Sequence, residues 1–419
     1  MSRCALLLVG WLCTVGLPAC GQAPAAVEVA AVWSGAEQEA FRQVLAAFER
    51  QSGFRVLYTA TGDDIATVLG ARLQGGRPPD LAILPQPGLL RDLAQQGALL
   101  PIEATVGPAV DRHYAPIWRE LGSAAGRLYG LWFKAANKST VWYNVGVFQD
   151  AGVEPPATWA AWLAAARTIA DYGVPPFAVA GADGWTLTDW FENVYLRTAG
   201  PARYDQLTRR EIPWTHPSVR DALHTLAEVF RPDWLAGGTG GALQTDFPTS
   251  VARTFARPPE AAMVYEGDFV GGVAAGDAGA RLGTDADFFP FPAIRGSAPA
   301  VVGGGDVAVL LRDTPAAQAL LRFLATPAAG EIWAGLGGFA SPNRGVRLAA
   351  YPDDIARRSA KLLAEAAVFR FDMSDQLPAA FGGTPGQGEW QILQDFLRDP
   401  SDVQGTVDRL EAAARRAAR

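Results

Sequence analysis

Val27-Glu-Val-Ala-Ala-Val-Trp33 runs straight into Ser34-Gly-Ala-Glu37, and the junction reads as a strand feeding a helix. Ser-x-x-Glu is the spacing of a capping box, in which hydroxyl and carboxylate each satisfy a free backbone N–H at the helix start. Behind it, Phe41, Val44, Leu45 and Phe48 recur at helical spacing along one face. Phe54, Val56 and Tyr58 then alternate as a strand. Gly62-Asp63-Asp64 is placed to cap a second helix with Ile65, Val68, Leu69 and Leu73 inward, and Gly75-Gly-Arg-Pro-Pro-Asp80 breaks it. Leu81-Ala-Ile-Leu84 is a short buried strand ahead of Pro85-Gln86-Pro87. Strand, helix, strand, helix, strand is the order of a doubly wound parallel sheet, whose ligands lie beyond the carboxyl ends of its strands. That geometry points at the turns 34–37, 62–64 and 85–87.

The same α/β grammar restarts downstream. Thr158 is placed to cap a helix carrying Trp159, Trp162, Leu163 and Ile169, and residues 174–180 read as a strand. Pro217 begins a helix with Val219, Leu223, Leu226 and Phe230 on one face. Ala261-Ala-Met-Val-Tyr265 is an apolar strand stopping at Glu266-Gly267-Asp268. Residues 301–311 form another, and Thr314-Pro315 starts a helix with Leu320, Leu321 and Leu324. No repeat of fixed period is present, which excludes a solenoid. Two α/β lobes fit best.

At the amino end, Arg3 is the only charge before an uncharged run too short to span a bilayer. Leu17-Pro-Ala-Cys20 closes that run and resembles a bacterial lipobox. Residues 1–19 are therefore expected to be a secretory signal, Cys20 the lipidated residue and residues 20–26 a tether, with the protein at the outer face of the cell membrane or in the periplasm. Cys4 and Cys13 fall inside the signal, so the mature chain has no second thiol for a disulfide, and thiol catalysis or a cysteine metal site is excluded. With 49% hydrophobic residues, the mature chain can build two cores. A formal charge of −7 without a basic cluster argues against nucleic acid. Lysine is confined to Lys134, Lys138 and Lys361, with arginine elsewhere, which reads as a compositional effect.

Catalytic motifs are missing: no Gly-x-Ser-x-Gly, phosphate loop, His-Glu-x-x-His or dinucleotide fingerprint. His113, His216 and His224 sit in helix-start, polar-turn or solvated settings. Acids near aromatics do occur, as at Trp185 with Asp189, and a glycosidase also needs paired carboxylates beside aromatic walls. Composition leaves that alternative open.

Several ordered stretches resemble the bacterial extracellular solute-binding proteins of family 1, saccharide receptors of ABC importers. They are Val32-Trp-Ser-Gly35, Gly75-Gly-Arg-Pro-Pro-Asp-Leu-Ala-Ile-Leu-Pro-Gln-Pro-Gly88, Tyr129-Gly130 leading to Val141-Trp-Tyr-Asn144, Glu266-Gly267, Gly303-Gly-Gly-Asp306, Phe339-Ala-Ser-Pro-Asn343 and Phe371-Asp-Met-Ser-Asp-Gln-Leu-Pro378. The Pro-Asp-Leu-Ala-Ile-Leu-Pro-Gln-Pro-Gly run is similar to receptors for α-glucosides. The resemblance implies a two-lobed periplasmic-binding-protein (Venus flytrap) fold of the α/β class, each lobe a sheet flanked by helices, with three hinge crossings near 131–136, 301–306 and 343–346. Lobe one would comprise 27–132 with 306–343, and lobe two 133–305 with 344–419. The implied function is capture of a saccharide between the lobes for an ABC permease, by a monomer without catalysis, cofactor or metal. The alternatives are a secreted glycoside-active enzyme and a same-fold receptor for a non-sugar solute such as a polyamine.

Sugars call for planar polar groups and flat aromatic faces. Ser34 and Glu37 stand at the first strand end, although Glu37 also serves the capping box. Asp63 and Asp64 compete for one helix cap, leaving the other free for a cleft. Gln86 has no evident structural task. Trp185, between Gly184 and Thr186, reads as a loop platform for stacking, whereas Trp159 and Trp162 lie on a helix stripe and belong to a core. Glu266, Asp268 and Phe269 end a strand that the family pattern turns to the cleft. Asp306 follows three glycines where the backbone must approach something closely, with ligand and hinge readings equally weighted. The resemblance also places Asp372 and Trp390 at the cleft.

Overall fold

The computed structural model describes residues 26–418; the expected signal and Cys20 lie outside them. Strands β1 (Ala26–Ala31), β2 (Arg55–Ala60) and β3 (Leu81–Leu84) are mutually parallel, with β1 in the middle. A small hairpin, β4 (Ser123–Ala124) and β5 (Arg127–Leu128), leads into β6 (Gly130–Asn137). A second sheet follows in the order β10-β7-β9-β8, from β7 (Thr140–Asn144), β8 (Phe177–Ala178), β9 (Met263–Glu266) and β10 (Ala286–Pro290). The chain then returns to the first sheet through β11 (Val301–Leu310) and β12 (Phe369–Phe371).

Strand β11 knits the first sheet together. Its carboxyl half runs antiparallel to β3, its amino half parallel to β12, and its other edge is antiparallel to β6. Beyond that ladder Lys138 N–H donates to Val302 O at 2.9 Å, and Val302 N–H donates to Ser139 Oγ at 2.9 Å. The two passages between sheets are therefore hydrogen-bonded neighbours rather than loose linkers.

The helix Gly35–Ser52 buries Phe41, Val44, Leu45 and Phe48 against the first sheet as its spacing predicts, each side chain contributing about 1.5–3 kcal/mol by leaving water. Its capping box is not made. Ser34 occupies the N-cap position without a side-chain bond, and the Glu37 carboxylate, which would close the other half of the box, is drawn instead to the buried Lys134 ammonium, charge-assisted contacts being the stronger kind. Residues 174–180 yield only the two-residue β8 at the sheet edge. Pro175 and Pro176 cannot donate to a ladder and offer only their carbonyls, to Ala262 and Met263 N–H.

Trp185 opens the helix Trp185–Ala199 rather than sitting in a loop. Residues 186–197 of that helix are buried without a break, and a helix covered on all sides has no apolar stripe to read. The assignment of 344–419 wholly to lobe two also needs correcting. Tyr351, Ala360 and Phe371 belong to the first core, whereas Met373, Leu377 and Phe381 belong to the second. The cause lies at β12: Phe371 stands edge-on to Trp132 at 5.1 Å, and the Phe369 ring fills the space that Gly303 leaves by having no Cβ. Between 344 and 371 the chain packs on both lobes, since Ile355 joins Trp142, Phe247 and Phe269 while Tyr351, Ala360 and Phe371 join the first core, and from Met373 onward it packs in the second.

Candidate functional site

A cavity of about 410 Å³ opens between the two lobes. Its lobe-one wall is built from the carboxyl ends of the parallel strands: Trp33 and Ser34 after β1, Gly62 and Asp63 after β2, Pro85 and Gln86 after β3. This is where a doubly wound sheet presents ligands. The floor is the ladder itself. Lys134 and Ala136 alternate along one face of β6, with Lys138 just past its end, beside Gly305 and Asp306 of β11. The opposite wall carries Trp185, Phe247 and Phe269, whose ring centroids lie 5.2–6.1 Å apart.

Eight residues expected at the site line this cavity: Ser34, Glu37, Asp63, Gln86, Trp185, Phe269, Asp306 and Trp390. Asp64, Glu266, Asp268 and Asp372 do not. Asp64 is exposed at the start of the helix Ile65–Gln74. Glu266 ends β9 with its side chain buried beneath the wall, and Asp268 is buried and accepts from Ser359 Oγ at 3.2 Å. Asp372 caps the short turn Met373–Gln376 and binds Lys138 below the floor.

Both floor lysines, which composition alone passed over, organise the charges. Lys134 pairs with Glu37 and lies 4.0 Å from Asp306 Oδ2, itself an acceptor from Trp33 Nε1 at 3.2 Å. The ammonium also faces the rings of Phe269 at 5.2 Å and Trp333 at 5.4 Å, a cation–π arrangement. Lys138 lies 3.1 Å from Asp189, 2.6 Å from Asp372 and 3.7 Å from Asp375. The signal available in the sequence was substitution against habit: two of three lysines, four positions apart, in a chain that otherwise uses arginine.

Burial pushes Asp306 up to about 6, with Lys134 restraining it, and pushes Asp268 to about 6 against the same ammonium. Below the floor, burial raises Asp189, Glu192, Glu266 and Glu389 well above the carboxylate range. For Asp372 burial raises, but Lys138 and neighbouring hydrogen bonds outweigh it and hold the carboxyl below its ordinary value. At the mouth, Asp63 is open to solvent on one side and walled by protein on the others. Desolvation, then the charge of Asp183, push it to about 7, while the Trp185 indole N–H restrains it. Asp183 rises to about 6 through burial and is restrained by Phe247 N–H, which donates to its Oδ2 at 2.6 Å.

The three glycines before Asp306 make room for protein. A Cβ on Gly303 would meet Phe369 at 2.2 Å, and one on Gly304 would meet the Lys138 stem at 2.7 Å. Gln86 likewise lies flat on Gly383, where a Cβ would come within 1.8 Å of its amide. The lobes also touch beside the cavity. The helix Val270–Gly276 approaches lobe one so closely that a Cβ on Gly272 would stand 3.2 Å from Gly338 Cα, and one on Gly276 would stand 3.3 Å from Ala36 Cβ. Asp183, Asp246, Phe247 and Asp277 also line the cavity and were missed, because each lies in or beside a loop without a recognisable motif.

The profile of the family described as bacterial extracellular solute-binding protein matches residues 33–331. The sequence is 36% identical over 394 residues to the osmoprotective compounds-binding protein GgtB of Synechocystis sp., covering 91% of both chains. It is 33% identical over 394 residues to the alpha-glucosides-binding periplasmic protein AglE of Rhizobium meliloti, covering 90% of this chain and 85% of that one. The bacterial solute receptor AcbH superposes with a TM-score of 0.82 at 21% identity, over 95% of this chain and all of the other. A chitin oligosaccharide binding protein does so with 0.80 at 18% identity, over 94% and 99%. At such identities the two structures speak for the fold.

Proposed function

The chain belongs to the family of bacterial extracellular solute-binding proteins, and from that premise we propose that it captures a saccharide between its lobes and presents it to the permease of an ABC importer. Family membership places it outside the cytoplasm; a lipid on Cys20 would hold it at the membrane. The observation that carries the reading is that the cavity's walls come from different lobes and its floor from the strands joining them. A solute bound there touches both lobes at once, so it favours the closed arrangement by the contacts that only closure provides. Hydroxyls find Ser34, Glu37, Asp63 and Asp306, and C–H faces find Trp185. The alpha-glucosides of AglE suggest that small glycosides be tried first.

Trp185 supplies the test. It is half-buried at a helix start, with Phe247 and Phe269 beside it. Trp185→Ala should lower affinity for an α-glucoside such as maltose, trehalose or sucrose by about 10–100-fold, about 1.4–2.8 kcal/mol. The stability loss should stay well short of the roughly 3–5 kcal/mol of a fully buried tryptophan. Titration calorimetry and thermal melts read the two quantities, and chromatography should recover the sugar intact. Early melting with unchanged affinity makes the ring a packing element; steady product release makes the protein an enzyme.

A further inference from the structure

We propose that the cleft sorts solutes by charge, admitting neutral and amine-bearing glycosides and rejecting the same framework when it carries a phosphate or carboxylate. The inference rests on the saccharide reading above and names the class within it. Seven acidic side chains and two lysines line the cavity, and no arginine does, although arginine is the prevailing cation of the chain. Neither lysine is free. Lys134 is held by Glu37 and Asp306, and Lys138 by Asp189, Asp372 and Asp375.

The acids at the mouth have no such counter-charge. Asp63, Asp183, Asp246 and Asp277 line the cavity from separate segments, and none forms an ion pair among the described residues. Asp183 spends Oδ2 on Phe247 N–H, and Asp246 spends Oδ1 on Thr249 N–H at 2.9 Å, which leaves each one carboxylate oxygen for a ligand. The aromatic shelf of Trp185, Phe247 and Phe269 stands among them, and carboxylates beside ring faces suit an ammonium as well as a hydroxyl. Six helix starts also reach the cavity, at Gly35, Ile65, Gln86, Trp185, Phe247 and Phe269. Their partial positive charge is about half a unit each, about three units together, which added to two lysines still leaves the seven acids in excess. A phosphate entering here meets like charges in a partly desolvated cleft, where each repulsion is several times its value in bulk water.

At about pH 8, where Asp63 (about 7) and Asp183 (about 6) are ionised, the mature full-length protein is titrated with maltose, trehalose and sucrose, and every sugar that binds is compared with its 6-phosphate and its 6-amino-6-deoxy analogue. The phosphate should bind about 10–100-fold more weakly than the parent, and the amine at least as tightly. The phosphate penalty should shrink when salt is raised from about 0.02 to 0.5 M, as screening of partly exposed charges requires. It should shrink again in the double variant Asp63→Asn/Asp277→Asn, read as the ratio of parent to phosphate affinity. A phosphate bound within about threefold of its parent overturns the inference and leaves the saccharide receptor standing. A penalty that neither salt nor the double variant moves is one of size and overturns it too. If none of the three parent sugars binds, the saccharide reading falls with it.

Discussion

Replacing Lys138 with methionine should destabilise the fold by about 3–5 kcal/mol at neutral pH, the scale for removing one partner of a buried ion pair. Its ammonium stands within 4 Å of Asp189, Asp372 and Asp375, and Glu192, Glu266 and Glu389 are buried around them. Both oxygens of Glu266 and of Glu389 lack a hydrogen-bond partner, so the region already carries more acid than it can satisfy. The loss should depend on pH. In the native protein Asp372 is held below its ordinary value, so its pairing stabilises the fold above about pH 4 and is lost only as pH falls through that depressed value. In the variant the same carboxyl is buried without its cation and must fold protonated. Above about pH 4 the folded variant then binds a proton that its unfolded chain has released, and its stability falls by about 1.4 kcal/mol per pH unit for that proton. Urea titrations of both proteins at about pH 4.5, 6 and 7.5 should show a gap that widens with pH. A gap independent of pH would mean that the lysine matters for packing alone. Lys361→Met, at a side chain 63% exposed, should change stability by no more than about 0.5 kcal/mol.

Trp162→Ala should cost about 3–5 kcal/mol without altering how sugars rank. The indole has no exposed surface, stacks on Trp190 at 5.6 Å with a 5° interplanar angle, and meets Phe177, Trp159 and Phe291 edge-on. Its Nε1–H points at Met263 Sδ, 3.2 Å away on β9. Truncation therefore opens a void among five neighbours of the second core, none of them on the cavity wall. Denaturant midpoints and calorimetric titration on one preparation separate the two effects. A selective loss of affinity would place this ring in the binding machinery.

The two tryptophans also mark where sequence reasoning succeeds. Trp162 was legible as core because its helix, Trp159–Tyr172, has one wet face, so the apolar residues fall at helical spacing. Lobe one was legible for a similar reason: its strands and helices pair in sequence order, and the strand-end turns lie at the cavity as parallel topology requires. Trp185 was legible as a cleft residue but not as a helix residue, since its helix is buried on all sides. Strand β12 escaped notice because three residues are too few for a periodic signal. Its place is set by a partner far away in sequence, through the gap at Gly303. Lys134 and Lys138 escaped because their meaning comes from what faces them, and Asp372 lies 234 positions from Lys138.

The seam between Gly272 and Gly338 separates how tightly a solute is held from which solute is chosen. Neither residue lines the cavity, yet their backbones meet where the lobes touch, and a first side-chain carbon on Gly272 would already sit 3.2 Å from Gly338 Cα. Each added carbon there should prop the mouth ajar, lower the closed fraction and weaken every solute by the same factor. A series from Gly272→Ala to Gly272→Leu should raise all dissociation constants in parallel, modestly at first and then steeply, with the order of preferred sugars preserved.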